Sequence, residues 1–279
     1  MWSPSVAWAD RHIRYRITYM SNLTKRVASL RPWLGLVSVA LFLLAWELAT
    51  RLTSLPAFIL PSPAEVWLRF LRALADGSLL NNALVTLAEV LVGLLSGAVF
   101  ATVVGYLIAK SHLLENLLSP FLVASQAIPL VAIAPLLVIW FGPGMFSKFL
   151  ICALIVFFPV LVNTVVGVRA VPATLYDLMR SLRATPGQIL LKLEIPAALP
   201  VFLGGLRVGA TLSVIGAVVG ELVGSDSGLG FLVNIGRGQY DTALVFVAVF
   251  TLIFLALALY GLVALLENEL LIWQEHSPS

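Results

Sequence analysis

Charged side chains are scarce in this sequence. Asp, Glu, Lys and Arg make up 11% of its 279 residues, whereas an average soluble domain carries about 25%. Hydrophobic residues make up 60% of the chain, and its mean hydropathy is +1.02. This composition excludes a soluble globular domain and predicts a protein whose helices are surrounded by lipid.

Cysteine, histidine and phosphate-binding patterns are also nearly absent. The single cysteine, Cys152, excludes an intrachain disulfide. The three histidines show neither metal-ligand spacing nor an intramembrane Ser–His pair. No lysine follows the glycine that a Gly-x-x-x-x-Gly-Lys-Ser/Thr loop requires. We therefore expect no metal, no cofactor and no catalytic residue, and any linked ATP hydrolysis must belong to another chain.

Long apolar runs dominate the chain. A helix needs about 20 apolar residues to cross the hydrocarbon core of a bilayer, and six runs approach or exceed that length. The sequence predicts an all-α integral membrane protein with six transmembrane helices, at Trp33–Thr50, Leu84–Ala109, Pro120–Phe141, Phe149–Val168, Ala197–Val223 and Ala243–Leu266. Arg51 follows the first run where a signal peptide would have a small-residue cleavage site, so that run is predicted to be retained.

The distribution of Lys and Arg predicts the orientation of these helices. With the amino terminus inside, eleven Lys and Arg residues lie on the inner side and five, including Lys148, on the outer side. Both termini are therefore expected to be cytoplasmic. The predicted organisation is a basic tail at 1–32 resting on membrane lipids, a first transmembrane helix at 33–54, an extracytoplasmic segment at 55–82, a core with five transmembrane helices at 83–268 and a cytoplasmic tail at 269–279.

A cationic interval at residues 169–196, called the basic segment below, interrupts the core. Its four cations are Arg169, Arg180, Arg183 and Lys192. Apolar residues recur in the basic segment at helical spacing and predict a helix with an apolar face that packs on the protein itself. These residues are Leu175, Leu178, Met179 and Leu182. Thr174 is predicted to cap this helix, and Thr185-Pro186-Gly187-Gln188 predicts a second helix that begins at Pro186.

Two interpretations of the basic segment remain open. A solvated cytoplasmic loop explains the cations by the charge rule alone. A docking element for another protein explains in addition the two capped helices, which meet at Arg183-Ala184-Thr185 and stop at Ile195-Pro196.

The basic segment resembles the cytoplasmic EAA loop of permeases in ATP-binding-cassette (ABC) importers. Asp177-Leu178-Met179 stands where that loop has Glu-Ala-Ala, Arg183 where it has glycine, and Glu194-Ile195-Pro196 near its closing Leu-Pro. The resemblance implies that ATPase subunits dock on Asp177, Arg180, Ser181, Arg183, Ala184, Thr185 and Gly187. Since glycine alone adopts a positive φ without penalty, we expect Arg183 to keep right-handed or extended geometry, or Gly187 to provide the freedom.

The wider chain, from about Leu60 to Leu266, is similar to permeases of the nitrate, sulfonate and taurine class of ABC importers. The stretches that carry this similarity are LPSPAEVW at Leu60–Trp67, IPLVAIAPLLVIWFG at Ile128–Gly142, FFPVLVNTVVG at Phe157–Gly167 and ELVGSDSGLGFLV at Glu221–Val233. VIGAVVGE at Val214–Glu221 and DTALVF at Asp241–Phe246 look more like the riboflavin and pyrimidine branch of that class.

This resemblance implies a type I ABC importer permease fold in the bacterial inner membrane. The partners it implies are two ATPase chains, a second permease copy in a homodimer and an extracytoplasmic solute-binding protein, with no nucleic acid. The implied solute is riboflavin or a pyrimidine thiamine precursor. Nitrate, taurine or alkanesulfonates are the alternatives, and an ion-coupled secondary carrier that works alone is a more distant one.

Four ionisable residues lie within the predicted helices: Glu47, Glu89, Arg207 and Glu221. Because a charge at the bilayer centre costs about 2.5–3.5 kcal/mol, such residues tend to face protein or water. Glu47 and Glu89 lie toward helix ends, where they can snorkel or cap neighbours. Arg207 and Glu221 share one helix face about 21 Å apart and are predicted to line the translocation pathway. Neutralisation by a neighbouring helix is the alternative.

Glycines in and after the fifth predicted helix suggest two further features. Five of them are predicted to let helices approach closely; they are Gly204, Gly205, Gly209, Gly216 and Gly220. The glycine-rich stretch at Gly224–Gly230 is predicted to be a flexible outward loop.

Overall fold

The computed structural model describes residue 35 and residues 37–53, 56–127 and 130–272. Every regular element among them is helical, as predicted. The predicted tail at 1–32 and residues 273–279 lie outside the described residues. The helices are α1 (37–53), α2 (Pro63–Ala75), α3 (Ser78–Lys110), α4 (His112–Ala127), α5 (Leu130–Phe141), α6 (Met145–Arg169), α7 (Ala173–Ser181), α8 (Pro186–Ile189), a π-helical segment (Leu190–Glu194), α9 (Ile195–Gly224), α10 (Leu229–Gly238) and α11 (Thr242–Leu270).

The chain divides into two compact units, Met1–Glu65 and Val66–Ser279. In the first unit, the indole Nε1 of Trp46 donates a hydrogen bond of 3.1 Å to the carbonyl oxygen of Pro61. Glu47 accepts a hydrogen bond of 2.6 Å from Arg51 one turn along α1. Glu47 is therefore neutralised within its own helix.

Among the residues that the structure describes, four helical stretches are long and apolar enough to cross a membrane, and all four lie in the second unit. They are Ser78–Lys110, Met145–Arg169, Pro186–Gly224 and Thr242–Leu270. The predicted run Pro120–Phe141 falls on two shorter helices, α4 and α5, with residues 128 and 129 outside the described part. Six membrane-spanning helices stay a prediction.

Small residues bring the long helices of the second unit together. A Cβ atom added at Gly97 of α3 would lie 2.5 Å from the carbonyl oxygen of Ala153 in α6. A Cβ added at Gly216 of α9 would lie 2.9 Å from the Cα of Cys152, also in α6. The predicted close approach is confirmed for four of the five glycines, Gly205, Gly209, Gly216 and Gly220, whereas Gly204 has nothing within 4 Å.

Candidate functional site

The first helix of the basic segment begins two residues earlier than predicted. Pro172 is the N-cap of α7, with φ −61° and ψ 138°, and α7 starts at Ala173. An N-cap residue needs an extended backbone, and Pro172 already has it. Thr174 therefore lies inside the first turn of α7, and its predicted capping role is wrong.

A Schellman turn ends α7 and contains Arg183. The amide of Ala184 donates a hydrogen bond of 3.0 Å to Met179, and the amide of Arg183 donates one of 2.9 Å to Arg180. This turn needs a left-handed residue after the helix, and Arg183 has a φ of 54°. The expectation that Arg183 avoids positive φ is wrong, because the two hydrogen bonds outweigh a steric cost of about 1–2 kcal/mol. Gly187 does not supply the freedom, since it lies within α8.

The second predicted cap is confirmed. The hydroxyl of Thr185 accepts a hydrogen bond of 3.4 Å from the amide of Gln188, whose side chain accepts one of 2.9 Å from the amide of Thr185. This helix does not stop at Ile195-Pro196, contrary to the prediction. After one turn it widens into the π-helical segment and continues as α9. Proline is tolerated there because it occupies the first turn of α9.

The apolar face of α7 packs on the protein only in part, because Met179 is half-buried while the leucines beside it are exposed. None of its nine residues is buried, and two leucines on that face, Leu178 and Leu182, are 54% and 68% exposed. Arg180 and Arg183 are exposed beside them. The junction after Ser181 thus presents apolar and cationic side chains together.

The remaining residues of the predicted docking site form the local frame of this junction. Asp177 accepts a long hydrogen bond of 3.5 Å from Arg180, and the hydroxyl of Ser181 donates one of 2.7 Å to Leu178. Ala184 is half-buried, while Thr185 and Gly187 are exposed. Arg169 is separate from this exposed group, because it forms an ion pair with Glu115 and donates to the carbonyl oxygen of Ile108.

A cluster around Lys110 lies where α3, α7 and the π-helical segment meet. The ammonium of Lys110 forms an ion pair with Glu194, which is 1% exposed and also accepts a hydrogen bond of 2.9 Å from Tyr106. The same ammonium lies 5.6 Å from the ring centroid of Tyr106 and 5.2 Å from that of Tyr176. Burial, and then the charge of Glu194, raises the pKa of Tyr176 to about 12. The hydroxyl of Tyr176 therefore stays protonated at neutral pH.

This cluster does not follow from the sequence pattern, in which Lys110 is only one of the inner cations and Glu194 only part of the closing EAA-like motif. The signal in the sequence is Glu194, a carboxylate directly before the apolar run that begins at Ile195. Burying this carboxylate without a cation would be costly, so a cationic partner was to be expected.

A second cluster surrounds Glu221 and holds the start of α10. Glu221 is fully buried and accepts hydrogen bonds of 2.6 Å from Thr86 and 2.5 Å from the amide of Gly230. The amide of Leu229 donates a hydrogen bond of 2.8 Å to the hydroxyl oxygen of Thr86, and the amide of Gly228 donates one of 2.7 Å to the side-chain oxygen of Asn82. These contacts satisfy amides that a helix start leaves without intrahelical partners. The prediction of a flexible loop is therefore wrong for Gly228–Gly230.

Glu89 and Lys148 form an ion pair inside the second unit. Their side chains are 0% and 5% exposed, and the Nζ of Lys148 lies 2.9 Å from Oε1 of Glu89. The placement of Lys148 on the outer side stays a prediction, but Glu89 neither snorkels nor caps a helix, so that prediction is wrong. The reason is that each charge is neutralised by the other across α3 and α6, which sequence order does not reveal.

Arg207 is paired with α11. It forms an ion pair with Glu267, donates a hydrogen bond of 3.4 Å to the hydroxyl of Tyr260, and lies 5.0 Å from the ring centroid of Tyr260. Its side chain is 28% exposed. The neutralisation alternative describes these contacts of Arg207, whereas Glu221 is held by hydrogen bonds from Thr86 and Gly230. A role of either residue in a pathway stays a prediction.

Residues 97–271 match the family described as "Binding-protein-dependent transport system inner membrane component". The chain belongs to this family. The permease is 46% identical over 260 residues to the riboflavin transport system permease protein RibX of Chloroflexus aurantiacus, which covers 91% of this chain and 97% of that relative. It is 34% identical over 235 residues to the formylaminopyrimidine transport permease protein ThiX of Halalkalibacterium halodurans, covering 84% and 93%.

A solved structure shares the fold. A chain of the MetNI methionine ABC transporter, in an inward-facing conformation, matches with a TM-score of 0.61 over 70% of the permease and 97% of that chain, at 20% identity. The predicted family, its riboflavin and pyrimidine branch, the inner-membrane location and the role as a transport subunit rather than an enzyme are confirmed. The orientation of the termini stays a prediction.

Proposed function

We propose that this permease forms the membrane pathway for riboflavin or a related nitrogen heterocycle. The observation that carries this proposal is the 46% identity with a riboflavin permease over nearly the full length of both chains. The similarity to a formylaminopyrimidine permease favours the same chemical class. In the proposed importer, a binding protein delivers the solute from outside, two copies of the permease form the pathway, and two ATPase chains supply the energy.

Reconstituted uptake tests the solute. The permease, its ATPase chains and its binding protein are placed in proteoliposomes, and accumulation of labelled riboflavin is expected only with ATP. Excess unlabelled riboflavin should abolish the signal, whereas taurine should not. ATP-dependent uptake of labelled taurine, without uptake of riboflavin, would instead indicate a sulfonate as the solute. Uptake without ATPase chains that collapses with a proton or sodium gradient would instead indicate a secondary carrier.

The proposed membrane arrangement has six spans with both termini in the cytoplasm. The eleven-to-five excess of inner cations supports it. In this arrangement the basic segment and Lys110 face the cytoplasm, and α10 lies on the outer side. Of the two pathway candidates, Arg207 has a side chain that is 28% exposed, whereas the burial of Glu221 favours a role in holding α10.

We also propose that the ATPase subunits dock on the junction after α7. Interfaces between proteins combine an apolar centre with arginines more often than the rest of the surface does. Leu178 and Leu182 supply exposed apolar area, and Arg180 and Arg183 supply exposed charge. The Schellman turn and the capping box fix the backbone of this junction, so little backbone freedom is lost on binding.

Charge reversal tests the docking proposal. The double variant Arg180→Glu/Arg183→Glu should bind the ATPase chains on the order of 100-fold more weakly, because two reversed charges cost roughly 1.4 kcal/mol or more each. The measurement is recovery of ATPase chains with the permease in detergent, at several salt concentrations.

Two controls separate charge from geometry. Arg183→Gly keeps the left-handed turn and removes one charge, so recovery should fall by less than in the double variant. Arg237→Glu reverses an exposed arginine on α10 and should leave recovery unchanged. Wild-type recovery with the double variant would contradict docking at this junction.

A further inference from the structure

We propose that Lys110 is a positioning residue for energy coupling, joining the docking helix α7 to the start of the membrane helix α9. The inference rests on the proposed docking of ATPase chains at α7. It assigns to Lys110, Glu194 and Tyr176 the step between that docking and movement of the membrane helices.

Helix α7 is weakly attached to the rest of the protein. None of its residues is buried, and only Tyr176 and Met179 are half-buried. The ring of Tyr176 lies over the ammonium of Lys110 at 5.2 Å. A force applied to the exposed side of α7 therefore reaches the rest of the protein through this contact and through the backbone at the two ends of α7.

Lys110 also contacts Glu194, the residue directly before α9. Its ion pair with Glu194 joins positions 84 residues apart in sequence. Glu194 is the last residue of the π-helical segment and directly precedes Ile195, the first residue of α9. Because Glu194 is 1% exposed and also bonded to Tyr106, it cannot move without moving its surroundings.

The ammonium of Lys110 contacts an aromatic ring and a carboxylate at the same time. A lysine ammonium attracts both kinds of group. The ring is that of Tyr176 in α7, and the carboxylate is that of Glu194 in the π-helical segment. Lys110 itself ends α3. One side chain thus links the proposed docking helix to two of the long membrane helices, and a π-helical segment is a common position for such a functional joint.

Variants at Lys110 and Tyr176 test this role by separating coupling from docking. Lys110→Met removes the charge and keeps an apolar stem, and Tyr176→Leu removes the ring from a helix that buries nothing. Lys110→Arg and Tyr176→Phe keep a cation and a ring. Lys192→Met, at an exposed lysine of the basic segment, is the matched control. Each permease is reconstituted with its ATPase chains and binding protein, and ATPase recovery, ATP hydrolysis and riboflavin uptake are measured.

We expect Lys110→Met and Tyr176→Leu to recover ATPase chains in full and to hydrolyse ATP, while riboflavin imported per ATP falls on the order of tenfold, a usual size for coupling between sites. Lys110→Arg, Tyr176→Phe and Lys192→Met should stay near the wild-type ratio. A wild-type ratio in Lys110→Met would overturn the inference. A fall in uptake that only follows a fall in ATPase recovery would also overturn it, because Lys110 would then belong to docking.

A solute-independent measurement distinguishes this inference from the solute proposal. If the wild-type complex imports no riboflavin, the solute proposal fails and the same variants are compared by labelling of Asp226→Cys, beyond the far end of α9. ATP with vanadate should change the labelling rate in the parent and in Lys192→Met, but not in Lys110→Met. An ATP response in Lys110→Met equal to that of the parent would overturn the inference.

Discussion

Replacing Lys148 by Met is expected to destabilise the folded permease by about 3–5 kcal/mol. Removing one member of a buried ion pair leaves the other charge without compensation, and Glu89 is 0% exposed. Its second carboxylate oxygen, Oε2, has no hydrogen-bond partner among the described residues. The measurement is thermal unfolding in detergent, followed by reaction of a thiol dye with Cys152, which is fully buried when the protein is folded.

The double variant Glu89→Met/Lys148→Met is the matched control for Lys148→Met. Both charges are then absent, and two apolar side chains of similar length fill the space. Such replacements are often neutral or stabilising, so unfolding within about 2 kcal/mol of the wild type is expected. A single variant as stable as the wild type would show that Glu89 is not a buried, paired charge.

Gly97→Ala is expected to cost about 3 kcal/mol, although it adds only one methyl group. The new Cβ would lie 2.5 Å from the carbonyl oxygen and 2.9 Å from the Cα of Ala153. Both are backbone atoms, so no side chain can turn away and α3 must separate from α6. Overpacking of this kind costs about 1–3 kcal/mol, and occasionally more. The same thermal unfolding measurement with Cys152 applies.

Gly204→Ala controls for the general effect of replacing glycine in a membrane helix. A Cβ at Gly204 meets nothing within 4 Å, and alanine favours helix over glycine by about 0.5–1 kcal/mol. This variant should therefore be as stable as the wild type or slightly more stable. Equal destabilisation of both variants would mean that helix contact is not the reason for the loss at Gly97.

The family and the helical class could be predicted because they depend on features that are local in sequence. Apolar runs, the capping box at Thr185 and the EAA-like spacing each lie within a short stretch of chain. The pairing of buried charges could not be predicted in this way. Glu89 and Lys148 are 59 residues apart, and Lys110 and Glu194 are 84 apart, so tertiary packing alone decides which charges meet.

Arg183 shows a different limit of prediction. The preference of glycine for positive φ is a property of one residue, whereas the Schellman turn forms through hydrogen bonds that span six consecutive positions, from Met179 to Ala184. When those bonds form, the residue after the helix end takes left-handed geometry whatever its side chain. The same reasoning explains why Thr174 is not a cap, since Pro172 had already set the backbone for α7.

The anchor of α10 has a consequence for sequence variation. Its donors are the main-chain amides of Gly228, Leu229 and Gly230, and its acceptors are side chains of α3 and α9. Asp226, two residues before the anchor, is exposed and contributes nothing to it. The side chains at the tip of this turn can therefore change without loss of the hydrogen bonds that hold α10.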